Sequence, residues 1–123
     1  MEKRIAFFQD LKQIRDDWIN VDYLGPNAII PEWSDLKEEY QTLANLLATD
    51  EGIEAFKKVM QDKIDGVLHS FLVMIDGGTE LAEQFTIDLV VEDTGESLKE
   101  GIALHEEFVG YLLDAEEEDL LNG

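Results

Sequence analysis

The chain has 123 residues and carries 29 acidic against 9 basic side chains, a formal net charge of −20. So negative a surface repels phosphate backbones and anionic headgroups, which argues against direct binding of nucleic acid or membranes. Because a chain of 123 residues has room for one domain and 45% of its residues are hydrophobic, we expect a single acidic globular domain over residues 1–123, and none of the residues is cysteine. Disulfides, thiolate metal sites and a cysteine nucleophile are excluded, and the last few residues are expected to fray.

The first 33 residues predict one helix and a long connection. Apolar residues spaced by three and four predict a helix over 2–19 with one apolar stripe. The segment 20–33 contains the helix breakers Gly25 and Pro31, so it is expected to wrap the core as a loop. The side chains expected to cover the core there are Tyr23, Ile29 and Ile30.

Two further helices are predicted between residues 34 and 77. Ser34 is a candidate N-cap for the first of them. Its apolar stripe consists of Leu36, Tyr40, Leu43 and Leu47. The next helix begins near Asp50 and runs until Gly77 and Gly78 end it. Residues 67–75 are apolar nearly all round, which is typical of a helix buried on most sides or of a strand, and the absence of a breaker favours the helix.

The pattern changes period after residue 84. Apolar and polar residues alternate over 85–92, and Gly95 lies in a predicted turn, so we expect a short β-hairpin near residues 85–98. A last helix is predicted from Leu98 or Ile102 through Leu113, followed by an acidic run. The predicted fold class is therefore mainly α (α+β): a small bundle of about four helices with one short hairpin.

Negative charge is concentrated in the second half of the chain. Residues 1–63 hold 13 acids and 8 bases, whereas residues 64–123 hold 16 acids and a single base, Lys99. Such an imbalance serves either solubility alone or a surface that meets positive charge. If it is an interaction surface, its predicted residues are Glu106, Glu107, Tyr111, Asp114, Glu116, Glu117, Glu118 and Asp119. Tyr23, Trp33 and Tyr111 could supply aromatic anchors, although core or half-buried positions are the expectation for all three.

The two histidines allow a second kind of site. On a helix, His69 shares one face with Asp76, and His105 precedes two glutamates on the last helix. If the two helices face each other, the candidate metal ligands are His69, Asp76, His105 and Glu106. The competing interpretation is that His69 is a satisfied histidine of a buried helix and that residues 105–107 are solvated surface. No catalytic nucleophile motif is present in the sequence, and no cofactor is expected.

These observations favour a non-enzymatic protein that binds a basic protein. In composition alone, a small, acidic, cysteine-free chain resembles the immunity proteins that bacteria encode beside toxins, which implies neutralisation of a basic toxin as one concrete form. The alternatives are a metal-dependent hydrolase and a soluble domain that binds no ligand. Self-association as a homodimer is a further possibility, based on Phe7, Phe8 and the alternation over 85–91. A cytoplasmic location is expected, because neither a signal-peptide core nor a membrane span is present in the sequence.

Overall fold

The protein is mainly helical in a computed structural model that describes residues 2–122. Four α-helices and one 3₁₀ turn follow one another along the chain, and no strand occurs among the described residues. The elements are α1 (Glu2–Trp18), α2 (Lys37–Leu46), α3 (Asp50–Ile75), the 3₁₀ turn Glu80–Glu83 and α4 (Leu104–Asn122). This arrangement fits the predicted small helical bundle, and residues 67–75 are helical.

Contacts divide the described residues into two compact units. The terminal unit contains residues 2–14 and 65–122, and the middle unit contains residues 15–64. Helices α1 and α3 each contribute to both units. By sequence, the terminal unit holds 18 acids and 4 bases, and the middle unit holds 11 acids and 5 bases.

The core of the terminal unit joins its three helices. The buried side chains are Phe8, Leu72, Ile75, Leu104, Phe108 and Leu112. The ring centroids of Phe8 and Phe108 lie 5.3 Å apart, and Tyr111 packs against the same cluster. Each fully buried side chain of this size contributes about 1.5–3 kcal/mol of transfer free energy, so this cluster holds α1, α3 and α4 together.

One residue, Asp76, links the end of α3 to the start of α4. After Ile75 the chain turns at Gly77, whose φ of 83° is in the left-handed region. The Gly77 N–H donates to the Met74 carbonyl and the Gly78 N–H to the Val73 carbonyl, the pair of bonds of a Schellman motif. At the same place the Asp76 carboxylate accepts a hydrogen bond from the His105 main-chain N–H at 2.9 Å, in the first turn of α4.

The predicted hairpin near residues 85–98 is wrong. The segment retains a single antiparallel bridge between Val90 and Ser97, and the main-chain N–H of Leu98 donates to the Leu89 carbonyl at 2.8 Å. A strand pair needs a continuous ladder and usually a third element to stabilise it. Here the alternation reflects one covered side over residues 87–91, since Ile87, Leu89 and Val91 are half-buried while Asp88 and Val90 are exposed. Leu89 packs against the core, whereas Phe85 of the same phase is exposed.

Two helical expectations also need correction. Residues 67–75 are not buried on most sides, because Val67 and Phe71 are more than half exposed. The last helix does not stop at Leu113 but continues to Asn122, so the acidic run is helical. Ala115 and the glutamates after it are good helix formers, which explains the extension.

The middle unit buries less apolar surface. Its buried hydrophobic side chains are Ile19, Leu24 and Ala44. Ser34 is not the N-cap of α2, which begins at Lys37. Instead, the Ser34 hydroxyl accepts a hydrogen bond from the Leu36 N–H. Ile29, expected to cover the core, is exposed, whereas Tyr23 stacks edge-on with Tyr40 at 5.0 Å between ring centroids.

Candidate functional site

A groove in the terminal unit, here called the acidic groove, lies between α1 and the first half of α4. Its volume is about 450 Å³. The residues that line it are Arg4, Ile5 and Phe8 of α1 and Glu106, Glu107, Gly110, Tyr111 and Asp114 of α4. Four of the eight predicted interaction residues therefore share one concave surface: Glu106, Glu107, Tyr111 and Asp114.

Helical geometry gathers the carboxylates of α4 on one side. At about 100° per residue, one sector of about 120° contains Glu106, Glu107, Asp114, Glu117 and Glu118. All five of these residues are exposed. The opposite side carries the buried Leu104, Phe108 and Leu112. Because its opposite side is packed in the core, α4 presents these five carboxylates to solvent.

The remaining predicted interaction residues lie beyond the groove on the same helix. Glu116 is half-buried and has a partner, and Glu117 and Glu118 are exposed. Asp119 lies 3.8 Å from the Lys12 ammonium, so its charge is partly balanced by α1. The last turn of α4 contains no basic residue.

Two basic side chains of the terminal unit donate hydrogen bonds to main-chain carbonyl oxygens. The Arg4 guanidinium donates to the carbonyls of Leu98 (2.6 Å) and Glu100 (3.2 Å). The Lys99 ammonium donates to the Ile75 carbonyl at 2.9 Å. These bonds hold the segment 98–100 in place. Because the acceptors are neutral carbonyl oxygens, the bonds do not neutralise any carboxylate of the unit.

The structure brings together three of the four predicted metal ligands. The rings of His69 and His105 meet edge-on, with centroids 5.3 Å apart. His105 Nδ1 lies 2.6 Å from Asp76 Oδ2, while Glu106 is 4.0 Å from His105 Nε2. Glu106 itself is exposed on the acidic groove. The sequence hypothesis had this proximity as its condition, and whether these residues bind a metal stays a prediction.

Asp76 is held as a carboxylate. Burial would raise its pKa, but hydrogen bonds from the main chain and ring of His105 and from the Leu104 main chain outweigh this effect and lower the pKa below its ordinary value of 3.8. An ionised carboxylate only accepts hydrogen bonds, so we assign the proton of the contact to His105 Nδ1. Nε2 then remains as the ring nitrogen available for other chemistry. The second oxygen, Asp76 Oδ1, is buried and has no hydrogen-bond partner among the described residues.

Over residues 2–122, no group of three or more histidine, aspartate or glutamate side chains is arranged to hold a metal ion. The hydrogen bond between Asp76 and His105 commits one carboxylate oxygen and one ring nitrogen to each other. Asp76 and His105 thus work as a structural joint between α3 and α4, and the metal-ligand assignment stays a prediction.

Sequence reasoning missed several residues of the concave surfaces. Arg4, Ile5 and Gly110 line the acidic groove, and their position depends on the contact of α1 with α4, about 100 residues apart in the chain. Trp33 was expected in a core or half-buried position but is 76% exposed. A usable signal existed, because Trp33 lies in a breaker-rich connection, two residues after Pro31 and outside the predicted helices.

Comparison of the chain with protein-family models, with curated proteins and with solved structures finds no match. In the described part of the chain, no helix combines the length and the apolar character that crossing a membrane requires.

Proposed function

We propose that the terminal unit is a docking module for a basic protein, with the acidic groove as its contact surface. The observation that carries the proposal is the convergence of Glu106, Glu107 and Asp114 on one groove beside the ring of Tyr111. Charge complementarity accelerates encounter and selects partners, and an aromatic side chain at the centre supplies affinity. A surface acidic for solubility alone would have no reason to combine these groups in a concavity.

The shape of the groove depends on a glycine. At Gly110, in the middle of α4, a Cβ would meet no atom within 4 Å, so packing does not require the missing side chain. Glycine costs an exposed helix interior about 1 kcal/mol relative to alanine. Gly110 leaves the groove open for a side chain of the partner, which would account for a glycine at this position.

The proposal extends to the partner and the location. Neutralisation of a basic toxin, in the manner of the immunity proteins that the composition resembles, is one concrete form of it, and the cytoplasm is the proposed location. Self-association is less favoured than at the sequence level. Phe8 is buried in the unit's own core, Phe7 packs against it, and residues 85–91 form no strand.

A charge-matched pair of variants tests the groove. The first combines Glu106→Gln, Glu107→Gln and Asp114→Asn. The control combines Glu80→Gln, Glu83→Gln and Glu92→Gln, three exposed acids of the same unit outside the groove. The probe is fluorescently labelled decalysine, whose dissociation constant is measured by anisotropy at about 0.05 M and about 0.5 M salt.

We expect the groove variant to weaken binding by about tenfold or more at low salt, and the control by less than about threefold. Equal weakening by both variants would mean that dispersed charge is responsible, which is the solubility interpretation. Measurable wild-type binding that does not fall at high salt would also contradict the proposal.

The contact between Asp76 and His105 favours one second candidate, a metal-dependent hydrolase. Metal-bound histidines commonly donate their other ring nitrogen to a carboxylate, as His105 does here. A metal that binds the native state raises the thermal midpoint of unfolding. A rise with zinc, manganese or magnesium that His105→Asn abolishes would support this candidate, and the lack of a rise with all three would remove it.

A further inference from the structure

A second concave surface, here called the aromatic cleft, lies within the middle unit and has a volume of about 660 Å³. Four aromatic side chains line it: Trp18 at the end of α1, Tyr23 and Trp33 of the connection, and Tyr40 of α2. Two carboxylates, Asp17 and Asp22, lie in the same lining. The volume falls in the range of sites for small ligands and single side chains.

The two tryptophans are poor candidates for a folding role. Trp18 is 67% exposed and Trp33 is 76% exposed, although tryptophan is the side chain whose burial contributes most to a core. Large aromatic groups left in solvent around a concavity mark a surface for recognition.

The walls of the cleft are held in place without a ligand. The Ile29 N–H donates to the Asp22 carbonyl at 2.8 Å, and the Asp22 N–H donates to Asn20 Oδ1 at 2.8 Å. At the bend of the loop, Gly25 has a φ of 84°, and a Cβ there would lie 3.0 Å from Ile53 Cδ1. Glycine adopts this φ without steric cost, and the loop approaches Ile53 of α3 closely here, so these contacts and the two hydrogen bonds favour a preorganised cleft.

The lining chemistry selects a cation. No lysine or arginine is among the lining residues. Aromatic faces carry a negative quadrupole, and the two carboxylates add formal negative charge. Burial, followed by the neighbouring Tyr40, raises the pKa of Tyr23 above its ordinary 10.0, so its ring is a neutral phenol at physiological pH.

Within the cations, the combination of faces and carboxylates favours a guanidinium. A quaternary ammonium can use the aromatic faces but offers no N–H to the Asp22 carboxylate. A guanidinium stacks flat on tryptophan and also donates in a planar fork to carboxylates. We propose that the aromatic cleft binds an arginine side chain presented by a polypeptide. This site is separate from the acidic groove and does not depend on the function proposed for it.

Intrinsic fluorescence gives a direct test, because the chain contains two tryptophans and both line the cleft. The probe is the capped peptide Gly-Gly-Arg-Gly-Gly, titrated into the full chain at about 0.15 M salt to screen long-range attraction. Matched peptides carry citrulline, the neutral isostere of arginine, or lysine at the central position.

We expect a saturable change in tryptophan emission with the arginine peptide, and binding of the citrulline peptide about tenfold weaker or absent. The lysine peptide is expected to bind more weakly than the arginine peptide. Equal responses to arginine and citrulline would overturn the cation assignment. Equal affinities for arginine and lysine would overturn the guanidinium assignment, and no response to any peptide would overturn the site.

Variants locate the binding. Asp22→Asn removes a lining carboxylate and is expected to weaken binding of the arginine peptide about fivefold. The control is Asp35→Asn, which changes an exposed acid of the same unit outside the lining and is expected to alter the affinity less than twofold. Equal effects of the two variants would contradict the site.

A tryptophan variant gives a second check. Trp33→Ala should weaken binding of the arginine peptide while the circular dichroism spectrum stays unchanged, and Trp18 then remains as the fluorescent reporter. The groove variant of the terminal unit should leave this affinity unchanged, which separates a failure here from a failure of the docking proposal.

Discussion

In the terminal unit six large apolar side chains form one buried cluster, in which Phe8, Leu72 and Leu104 are almost completely buried. In the middle unit Trp18 and Trp33 face solvent, and the buried hydrophobic residues are fewer. The terminal unit presents carboxylates on a helix that its core holds in place, whereas the middle unit presents aromatic rings from its long connection and from α1 and α2. The two proposed recognition surfaces therefore have different structural supports, one a hydrophobic core and the other a hydrogen-bonded loop with the helices beside it.

The largest expected effect is on the two cores. Leu104→Ala leaves a cavity at a fully buried position and is expected to lower the free energy of unfolding by about 3–4 kcal/mol. Leu24→Ala, in the thinner packing of the middle unit, is expected to cost about 2 kcal/mol. Urea unfolding followed by circular dichroism measures both. A greater loss at Leu24 than at Leu104 would reverse the comparison.

The next largest expected effect on the free energy of unfolding comes from Asp76, which joins α3 to α4 in the terminal unit. Asp76→Asn removes a carboxylate that accepts bonds from the main chain and ring of His105, and is expected to cost about 1–3 kcal/mol at neutral pH.

The pH dependence of the Asp76 contribution follows from the sign of its pKa shift. Because the folded state lowers this pKa, the contribution is fully present above the ordinary value of 3.8 and disappears as the pH falls through the folded value. The difference in unfolding free energy between wild type and Asp76→Asn should thus shrink as the pH falls below about 4. A difference that grows as the pH falls further below about 4 would contradict the assignment.

A smaller effect, of opposite sign, is expected at Gly110. Gly110→Ala adds a methyl group where a Cβ meets nothing within 4 Å and should stabilise the protein by about 0.5–1 kcal/mol. Gly78→Ala is the control, because there a Cβ would lie 2.7 Å from Val73 Cγ1 and should destabilise. Thermal unfolding measures both, and destabilisation by Gly110→Ala would show that this glycine has a packing role.

The smallest expected effect is in the aromatic cleft. Trp33→Ala should change the free energy of unfolding by no more than about 0.5 kcal/mol, because the side chain is 76% exposed. A loss of more than about 1 kcal/mol in chemical unfolding would mean that Trp33 supports the fold, and the contrast between the units would weaken accordingly.

The sequence predicted those features that depend on local periodicity. Spacing of three and four gave α1 and α3, and Gly77 gave the end of α3. The alternation over 85–92 misled, because a period of two also arises where a chain lies along helices with one side covered, as at Leu89. Whether such a segment becomes a strand depends on partners elsewhere in the chain, which one pattern does not reveal.

The sites followed the same rule. The carboxylates of α4 could be grouped from the sequence because they lie on one helix, and the common orientation of Glu106, Glu107 and Asp114 follows from helix geometry. The aromatic cleft was not predicted, since Trp18, Tyr40 and Met60 come from three helices and meet only after the chain folds. Exposure of Trp33 is likewise a tertiary outcome, opposite to the average behaviour of tryptophan.

The acidic second half of α4 has a consequence for its end. The last turn lies at the negative pole of the helix macrodipole, follows the consecutive acids Glu116–Asp119 and contains no basic residue. Mutual repulsion therefore works against the terminal amide hydrogen bonds, and counterions relieve it. The stability of the final turn should consequently increase with ionic strength, so that its backbone amides take up deuterium more slowly as salt is added.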